Sequence, residues 1–319
     1  MIPLIDLSRS RAEVADALAA TLEHVGFFIV VNHGVQQELI RRTFAEAERF
    51  HAQPMEAKRA LLMNGHNNGY MAMARYNVRT SRASEAALPD MNEAFFIKRE
   101  RDPDDPLAAR RFGGPNRWPA DLPGFRETLL EYCGAVDRLA LSLLPALALS
   151  LGVQEDWFAP HFTQSQFSFR LSHYPPAARE KGRYGIAPHT DVNFLTFLAQ
   201  SDVPGLQIRR EAGGWEDVPF VADSYVVNTG DMLHRWTNGR YRSTPHRALP
   251  PAGRHRYAIP YFFGPNLDAE IRCVPSCAGP GNPPRWPPVV YGDHLAWWYD
   301  ANYNAADQLD LAAGSGIDA

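Results

Sequence analysis

Up to about His24 the apolar positions recur at helical spacing. Val14, Ala17, Leu18, Thr21, Leu22 and Val25 fall on one face, and Ser8 or Ser10 is placed to cap the helix. Phe27 to Val31 is a continuous β-branched and aromatic run ended by Asn32–His33–Gly34, which reads as a buried strand. A second amphipathic helix is predicted over about Gln36 to Phe50, with a helical turn after Pro54. Residues 64–123 lack sustained periodicity and are rich in Asn, Gly and Pro, as loops are. Within them "NEAFFIKRE" has the composition of a short strand. A long helix is predicted from about Phe125 to Leu151, kinked at Pro145 and terminated at Gly152.

From Gln166 the pattern changes to short strands: "FSFRLSHY", "FLTFLAQ", "GLQIRR", "WEDVPF", "SYVVNTGD", "MLHRWT", "RYRSTPHRAL" and "RYAIPYFF". Asn238–Gly239 predicts a two-residue hairpin joining "MLHRWT" to "RYRSTPHRAL". Alternation in "FSFRLSHY" puts Phe167, Phe169, Leu171 and His173 toward the helices and Ser168, Arg170, Ser172 and Tyr174 toward a cavity. A helix near His294 to Asn302 and a small-residue tail, "DLAAGSGIDA", close the chain. Helices first and strands second give an α+β chain whose β part is a sandwich or barrel. With no clean linker, residues 1–319 are expected to form one integrated unit. Its parts are an N-terminal helical and loop region (1–125), a β-rich core (160–275) and a C-terminal extension (276–319).

The composition is that of an ordinary globular protein, 45% hydrophobic and 21% charged. A net charge of −4 provides no basic field for nucleic acid or an anionic membrane. The three cysteines argue against a disulfide framework, and "CVPSC" reads as a loop with two free thiols. The N-terminus lacks the pattern of a signal peptide, and the most apolar segment, Leu139 to Leu151, is too short to span a bilayer. The expectation is a cytoplasmic protein whose partner is a small molecule rather than nucleic acid or membrane. Oligomeric state is not legible.

Chemistry enters at "APHTDVNFLTF". His189 and Asp191 stand two apart in an apolar stretch read as a dry strand, where they share a face. Burying an unpartnered carboxylate and imidazole costs several kcal/mol, about the upper range for unsatisfied polar groups, and a metal ion removes that cost. His246, in "STPHRAL", is the best third ligand. Two histidines and a carboxylate on one side of an ion make the facial triad of non-haem Fe(II) oxygenases. Arg256 stands on an otherwise apolar strand and needs an anion, which the carboxylate of a 2-oxo acid would supply. Tyr174 is placed to help hold that carboxylate. A lone H-x-D is common and by itself signals little. A distant histidine adds little in a chain with 11, and Arg256, ten residues after His246, is what raises it.

The segments "PLIDLS", "GFFIVVNHGV", "LSHYPP", "PHTDVNFLTFLAQ", "GLQI", "VNTGDML", "STPHRAL" and "RYAIPYFF" together resemble the isopenicillin N synthase-like family of Fe(II)/2-oxoglutarate-dependent oxygenases. The resemblance runs in family order from Pro3 to about Phe263. It implies a double-stranded β-helix (jelly-roll) core flanked by N-terminal and long central helices. It also implies Fe(II), 2-oxoglutarate and O2 as cofactors and co-substrates, with succinate and CO2 as co-products of oxidising, by default hydroxylating, a substrate C–H bond. His189, Asp191 and His246 match the family's iron ligands, Arg256 the arginine for the distal 2-oxoglutarate carboxylate, and Tyr174 the tyrosine that assists it. Ala258 stands where the family usually has serine, and Ser172 where many members have asparagine, so cofactor contacts near Ser172 are rearranged. The missing hydroxyl at Ala258 is worth about 1 kcal/mol. It keeps open a related iron oxidase that does not use 2-oxoglutarate, in which Arg256 would hold the substrate's own carboxylate. A metal-binding module without turnover is a further alternative. Candidate substrate contacts are Arg170, Tyr70, Met71, Arg75, Tyr76, Asn92, Phe95, Phe194, Trp236 and Phe263.

Overall fold

The computed structural model describes residues 2–73, 88–178 and 180–302. Two short strands, β1 (Leu4–Asp6) and β2 (Phe27–Val31), pair in parallel around helix α1 (Arg11–His24). Of the two serines proposed as caps, Ser10 caps α1: its hydroxyl accepts from the Glu13 N–H, and the Glu13 carboxylate accepts from the Ser10 N–H. Helices α2 (Gln37–His51) and α3 (Met55–Arg59) follow, then strands β3 (Gly69–Met71) and β4 (Glu93–Lys98). Helix α4 (Phe125–Ser150) ends just before Gly152, whose φ of 73° is the left-handed conformation that closes helices.

The β part comprises β5 (Gln166–Tyr174), β6 (Ile186–His189), β7 (Leu195–Gln200), β8 (Leu206–Arg209), β9 (Trp215–Asp217) and β10 (Tyr225–Thr229). After helix α5 (Asp231–Trp236) come β11 (His246–Ala248) and β12 (Arg256–Gly264), and helix α6 (Tyr291–Asn302) lies near the end of the described chain. An eight-stranded sheet runs in the order β1-β2-β10-β7-β12-β5-β4-β3, and a four-stranded sheet in the order β6-β11-β8-β9. Both sheets line a common cavity, through Arg170, Thr196, Asn228 and Arg256 on one side and His189, Leu206 and His246 on the other. This is the jelly-roll core. Helices α2 and α4 cover the outer face of the large sheet at β5, β7 and β12.

Several expectations are corrected. "MLHRWT" is helical: Met232, Leu233 and Trp236 are all buried, a one-sided spacing that suits a helix as well as a strand. Asn238 and Gly239, with φ of 55° and 82°, close that helix and turn no hairpin. Both structures call for positive φ, so the dipeptide does not discriminate between them. The stretch from Ala187 to Phe197 is not one strand. β6 belongs to the small sheet and β7 to the large one, so the chain turns between sheets at residues 190–194 and Asp191 sits in that turn. Strand β3 lies in a segment read as irregular; it is too short for periodicity to register. Finally, α4 is long and apolar enough to cross a membrane by length and composition, because the apolar run extends back beyond Leu139. It is packed against α1, α2 and the large sheet.

Candidate metal centre

Among the described residues, two groups of two histidines and one carboxylate have donor atoms within 4.8 Å of one another: His189, Asp191 and His246, and His51, Glu93 and His173. Their hydrogen bonds separate them. In the second group the carboxylate and His173 are fully engaged, and only His51 Nδ1 lacks a hydrogen bond. Lys58 Nζ donates to Glu93 Oε2 at 2.9 Å, the Tyr70 hydroxyl donates to the same oxygen, and His173 Nδ1 lies 2.8 Å from Oε1. His173 Nε2 meets His255 Nδ1 at 2.8 Å, and His51 Nε2 donates to the Leu171 carbonyl at 3.1 Å, while its Nδ1 lies 3.2 Å from Glu93 Oε1 without a hydrogen bond. An ammonium already neutralises the carboxylate, so this group ties α2, α3, β4 and β5 together under the large sheet. Burial alone would raise the Glu93 carboxyl. The surrounding groups His173, His51 and Tyr70 outweigh burial and hold it well below the usual carboxylate range. Its stabilising effect is therefore full above the ordinary value of 4.5 and is lost as pH falls below it. Glu93→Gln is expected to cost about 3–5 kcal/mol by stranding Lys58. Urea denaturation at pH 7 should show this, with the gap to wild type narrowing in acid.

The first group is arranged the opposite way. His189 and His246 are direct partners across β6 and β11, with ring centroids 4.3 Å apart. Each uses Nδ1 on a backbone carbonyl two residues before it: Ala187 at 2.8 Å for His189 and Thr244 at 3.2 Å for His246. With the proton on Nδ1, each Nε2 lone pair is free to ligate. Those nitrogens lie 3.7 Å and 3.6 Å from Asp191 Oδ1. The other oxygen, Oδ2, accepts from Thr196 Oγ1 at 2.6 Å and Asn228 Nδ2 at 2.8 Å, which leaves Oδ1 toward the imidazoles. Burial, then the nearby His246, lowers the His189 pKa to about 4, so its imidazole is neutral at pH 7. Burial would raise the Asp191 carboxyl, but His246, His189 and the two hydrogen bonds hold it below the ordinary value. Two imidazole nitrogens and one carboxylate oxygen, convergent and otherwise uncommitted, fit a divalent iron with room for further ligands.

A cavity beside this group is lined by Arg256, Tyr174, Ala258, Leu198, Pro260 and Phe262. Arg256 is 1% exposed, and its Nε and Nη1 have no hydrogen-bond partner. Tyr174 presents its ring face to the guanidinium, 4.8 Å from the centroid. A buried guanidinium that lines a cavity with two unpartnered nitrogens is a receptor for a carboxylate, and 2-oxoglutarate fits it. Ala258 pairs with Ser172 across β12 and β5 and presents no hydroxyl. Ser172 Oγ is itself buried and unpartnered, though Ser172 does not line this cavity.

A second cavity opens on the other side of His189 and Asp191. Arg170 lines both. Of the other proposed substrate contacts, Arg75 and Tyr76 lie outside the described residues. Tyr70, Met71, Asn92, Phe95, Phe194, Trp236 and Phe263 line neither cavity, and this is a correction. Phe95 pairs with Leu171 and Phe96 with Arg170, so alternation turns Phe95 to the helices and Phe96 to the cavity. Phe95 packs on Phe50 and Phe125. Phe194, Trp236 and Phe263 form an aromatic cluster with Phe158 and Phe162. Tyr70 is engaged by Glu93, Met71 belongs to the main core, and Asn92 is 1% exposed. Missed in the sequence were Lys98 and the wall built by Tyr291, Leu295, Trp298 and Tyr299 of α6. The alternation of β4 could have found Lys98. Nothing local ties α6 to the cavity.

Comparison with known proteins agrees with this geometry. A family model described as the 2OG-Fe(II) oxygenase superfamily matches residues 165–265, and one described as non-haem dioxygenase in morphine synthesis N-terminal matches residues 2–121. The 2-oxoglutarate-Fe(II) type oxidoreductase hxnY of Emericella nidulans is 36% identical over 96% of this chain and 91% of its own length. Validamycin A dioxygenase of Streptomyces hygroscopicus subsp. limoneus is 32% identical over 92% of this chain and 84% of its own. The crystal structure of a full-length Neurospora crassa protein in complex with alpha-KG and thymine superposes with a TM-score of 0.82 at 28% identity, covering 94% of this chain and 96% of that one. The chain therefore belongs to the 2OG-Fe(II) oxygenase superfamily, and is an oxidoreductase that uses Fe(II), 2-oxoglutarate and O2 on a small molecule.

Proposed function

We propose that His189, Asp191 and His246 hold the Fe(II) and that Arg256, flanked by Tyr174, holds the distal carboxylate of 2-oxoglutarate, in an enzyme that hydroxylates a C–H bond of a small organic molecule. The observation that carries this is the pairing of three convergent, uncommitted donors with a buried guanidinium that lacks an anion in the same cavity. When bound, iron with 2-oxoglutarate and O2 supplies the oxidising equivalent, and succinate and CO2 leave. The protein's part is to orient and to shield. Thr196 and Asn228 fix the Asp191 carboxylate, and the Ala187 and Thr244 carbonyls fix the two imidazoles. Ile186, Val192 and Phe262 keep the cavity wall dry.

The chain acts as one integrated unit. In support, the second cavity draws Phe96, Lys98 and Phe112 from the N-terminal region and Tyr291, Leu295, Trp298 and Tyr299 from the C-terminal extension. A small-molecule substrate in the cytoplasm, without nucleic acid or membrane, accords with the modest net charge of −4. The test is succinate release. Turnover of a substrate should yield one succinate per oxidised product and should stop when Fe(II) or 2-oxoglutarate is withheld. Oxygen uptake with substrate alone would overturn the 2-oxoglutarate role.

A further inference from the structure

The second cavity contains one fixed cation, Arg170, and one ammonium, Lys98, whose pKa burial and then Arg111 push down to about 7, with no described acid to spare. Its described lining includes Arg170 and Lys98, and its only carboxylate is Asp191, which the metal claims. Arg170 is 5% exposed, and its Nε and Nη2 have no hydrogen-bond partner. Its guanidinium lies 5.2 Å from the Phe96 ring centroid, which holds it flat against the cavity wall. Lys98 is 1% exposed. Its ammonium donates to the Asn67 carbonyl and, at 3.1 Å, to Asn68 Oδ1; both acceptors are neutral, and a third N–H remains. The Phe112 and Tyr299 rings stand 5.9 Å from Nζ. Ser168, the cross-strand partner of Lys98, lines the same wall with a buried, unpartnered hydroxyl.

The loaded site does not balance these charges. Iron(II) with Asp191 carries one net positive charge, and a 2-oxoglutarate dianion with Arg256 carries one net negative charge. These offset, which leaves Arg170 without a counter-ion among the described residues, and an anion beside Lys98 would restore the charge that burial removes from it. Asp90 is the nearest rival as a counter-ion. Burial pushes its carboxyl up to about 7, against the opposing effects of the Ala187 N–H and of Arg170. One of its oxygens accepts from that N–H at 2.8 Å, the other has no hydrogen-bond partner, and Asp90 lines neither cavity. It does not saturate Arg170.

We propose that the substrate is an organic acid. Its carboxylate lies on Arg170, its apolar body lies between Phe96, Phe262 and the α6 wall, and a second hydrogen-bond acceptor points toward Ser168 and Lys98. This rests on the iron and 2-oxoglutarate assignment above, and gives that site a substrate class. Arg170, on the wall shared by both cavities, sets which end of the substrate approaches the metal. Lys98, two residues further along β4 and β5, about 7 Å on, reads the far end.

The test is calorimetry on the full chain loaded with Mn(II) and 2-oxoglutarate under argon, which reads binding without turnover. Benzoate and 2-naphthoate are each titrated against their methyl esters, which keep the ring and lose the charge. The acids are expected to bind at least about 10-fold more tightly than the esters. Arg170→Gln should remove that preference, and Arg170→Lys should keep part of it. Lys98→Met should leave the Kd of benzoate and 2-naphthoate, which carry no second acceptor, and that of 2-oxoglutarate within about 2-fold of wild type, and should weaken 4-hydroxybenzoate several-fold. A large loss for benzoate itself would overturn the placement of its carboxylate on Arg170. Equal binding of acid and ester by the wild-type protein, or binding of neither, overturns the proposal, and this needs no variant to fold. Titration of 2-oxoglutarate into the Mn(II) protein reports on the underlying assignment separately. If it binds and the acids hold no advantage, the substrate class alone fails.

Discussion

His189→Ala is expected to abolish iron-dependent turnover while leaving the fold in place. The substitution removes one of three donors, and an enzyme that retains two binds Fe(II) far more weakly. Losing a hydrogen-bond partner behind a ligand typically costs about 10–100-fold in metal affinity or activity, so losing the ligand itself should exceed about 100-fold. His189 is at the end of β6 with its ring toward the cavity, and its backbone pairing with β11 does not depend on the imidazole. Thermal stability without metal should therefore be close to wild type, and the stabilisation on adding Fe(II) or Mn(II) should vanish. Retained iron-dependent activity would sink the triad assignment.

Arg256→Gln is expected to raise the Kd for 2-oxoglutarate by about 30- to 1000-fold, the range that follows from truncating one partner of a buried charge pair. The loss should sit mainly in 2-oxoglutarate binding, since in the proposed assignment Arg256 holds the distal carboxylate and is not a metal ligand. In the absence of 2-oxoglutarate the variant should be as stable as wild type or more so. A buried guanidinium with two unpaired nitrogens costs the empty protein stability, and a neutral side chain of similar length removes that cost. Wild type should thus gain thermal stability on adding 2-oxoglutarate, and Arg256→Gln should not. An unchanged requirement for 2-oxoglutarate would instead favour the related oxidase, with Arg256 reserved for substrate.

Much of this was legible in the sequence, for reasons that differ from residue to residue. His189, Asp191, His246 and Arg256 could be named because polar groups in apolar stretches demand partners. That demand is insensitive to the local structure. It survived an incorrect strand for Asp191 and an incorrect hairpin before His246. The cavity wall was harder to read. Phe95 and Phe96 are both aromatic and both buried, and only the register of β4 on β5 decides which one faces the cavity. The aromatic cluster of Phe194, Trp236 and Phe263 has the composition of a substrate pocket but packs as core. The contribution of α6 was invisible, because a helix predicted near the end of the chain carries no signal of where it docks. The second cluster was hidden for a similar reason: His51, Glu93 and His173 come from three elements that only the large sheet brings together.

The two clusters share a donor set, so metal stoichiometry tests the central claim most directly. Mn(II) titration followed by electron paramagnetic resonance should show one tight site per chain in the wild-type protein. That site should persist in His173→Ala and disappear in His189→Ala. A tight site that survives His189→Ala, or one lost in a folded His173→Ala protein, would place the metal elsewhere and contradict the account.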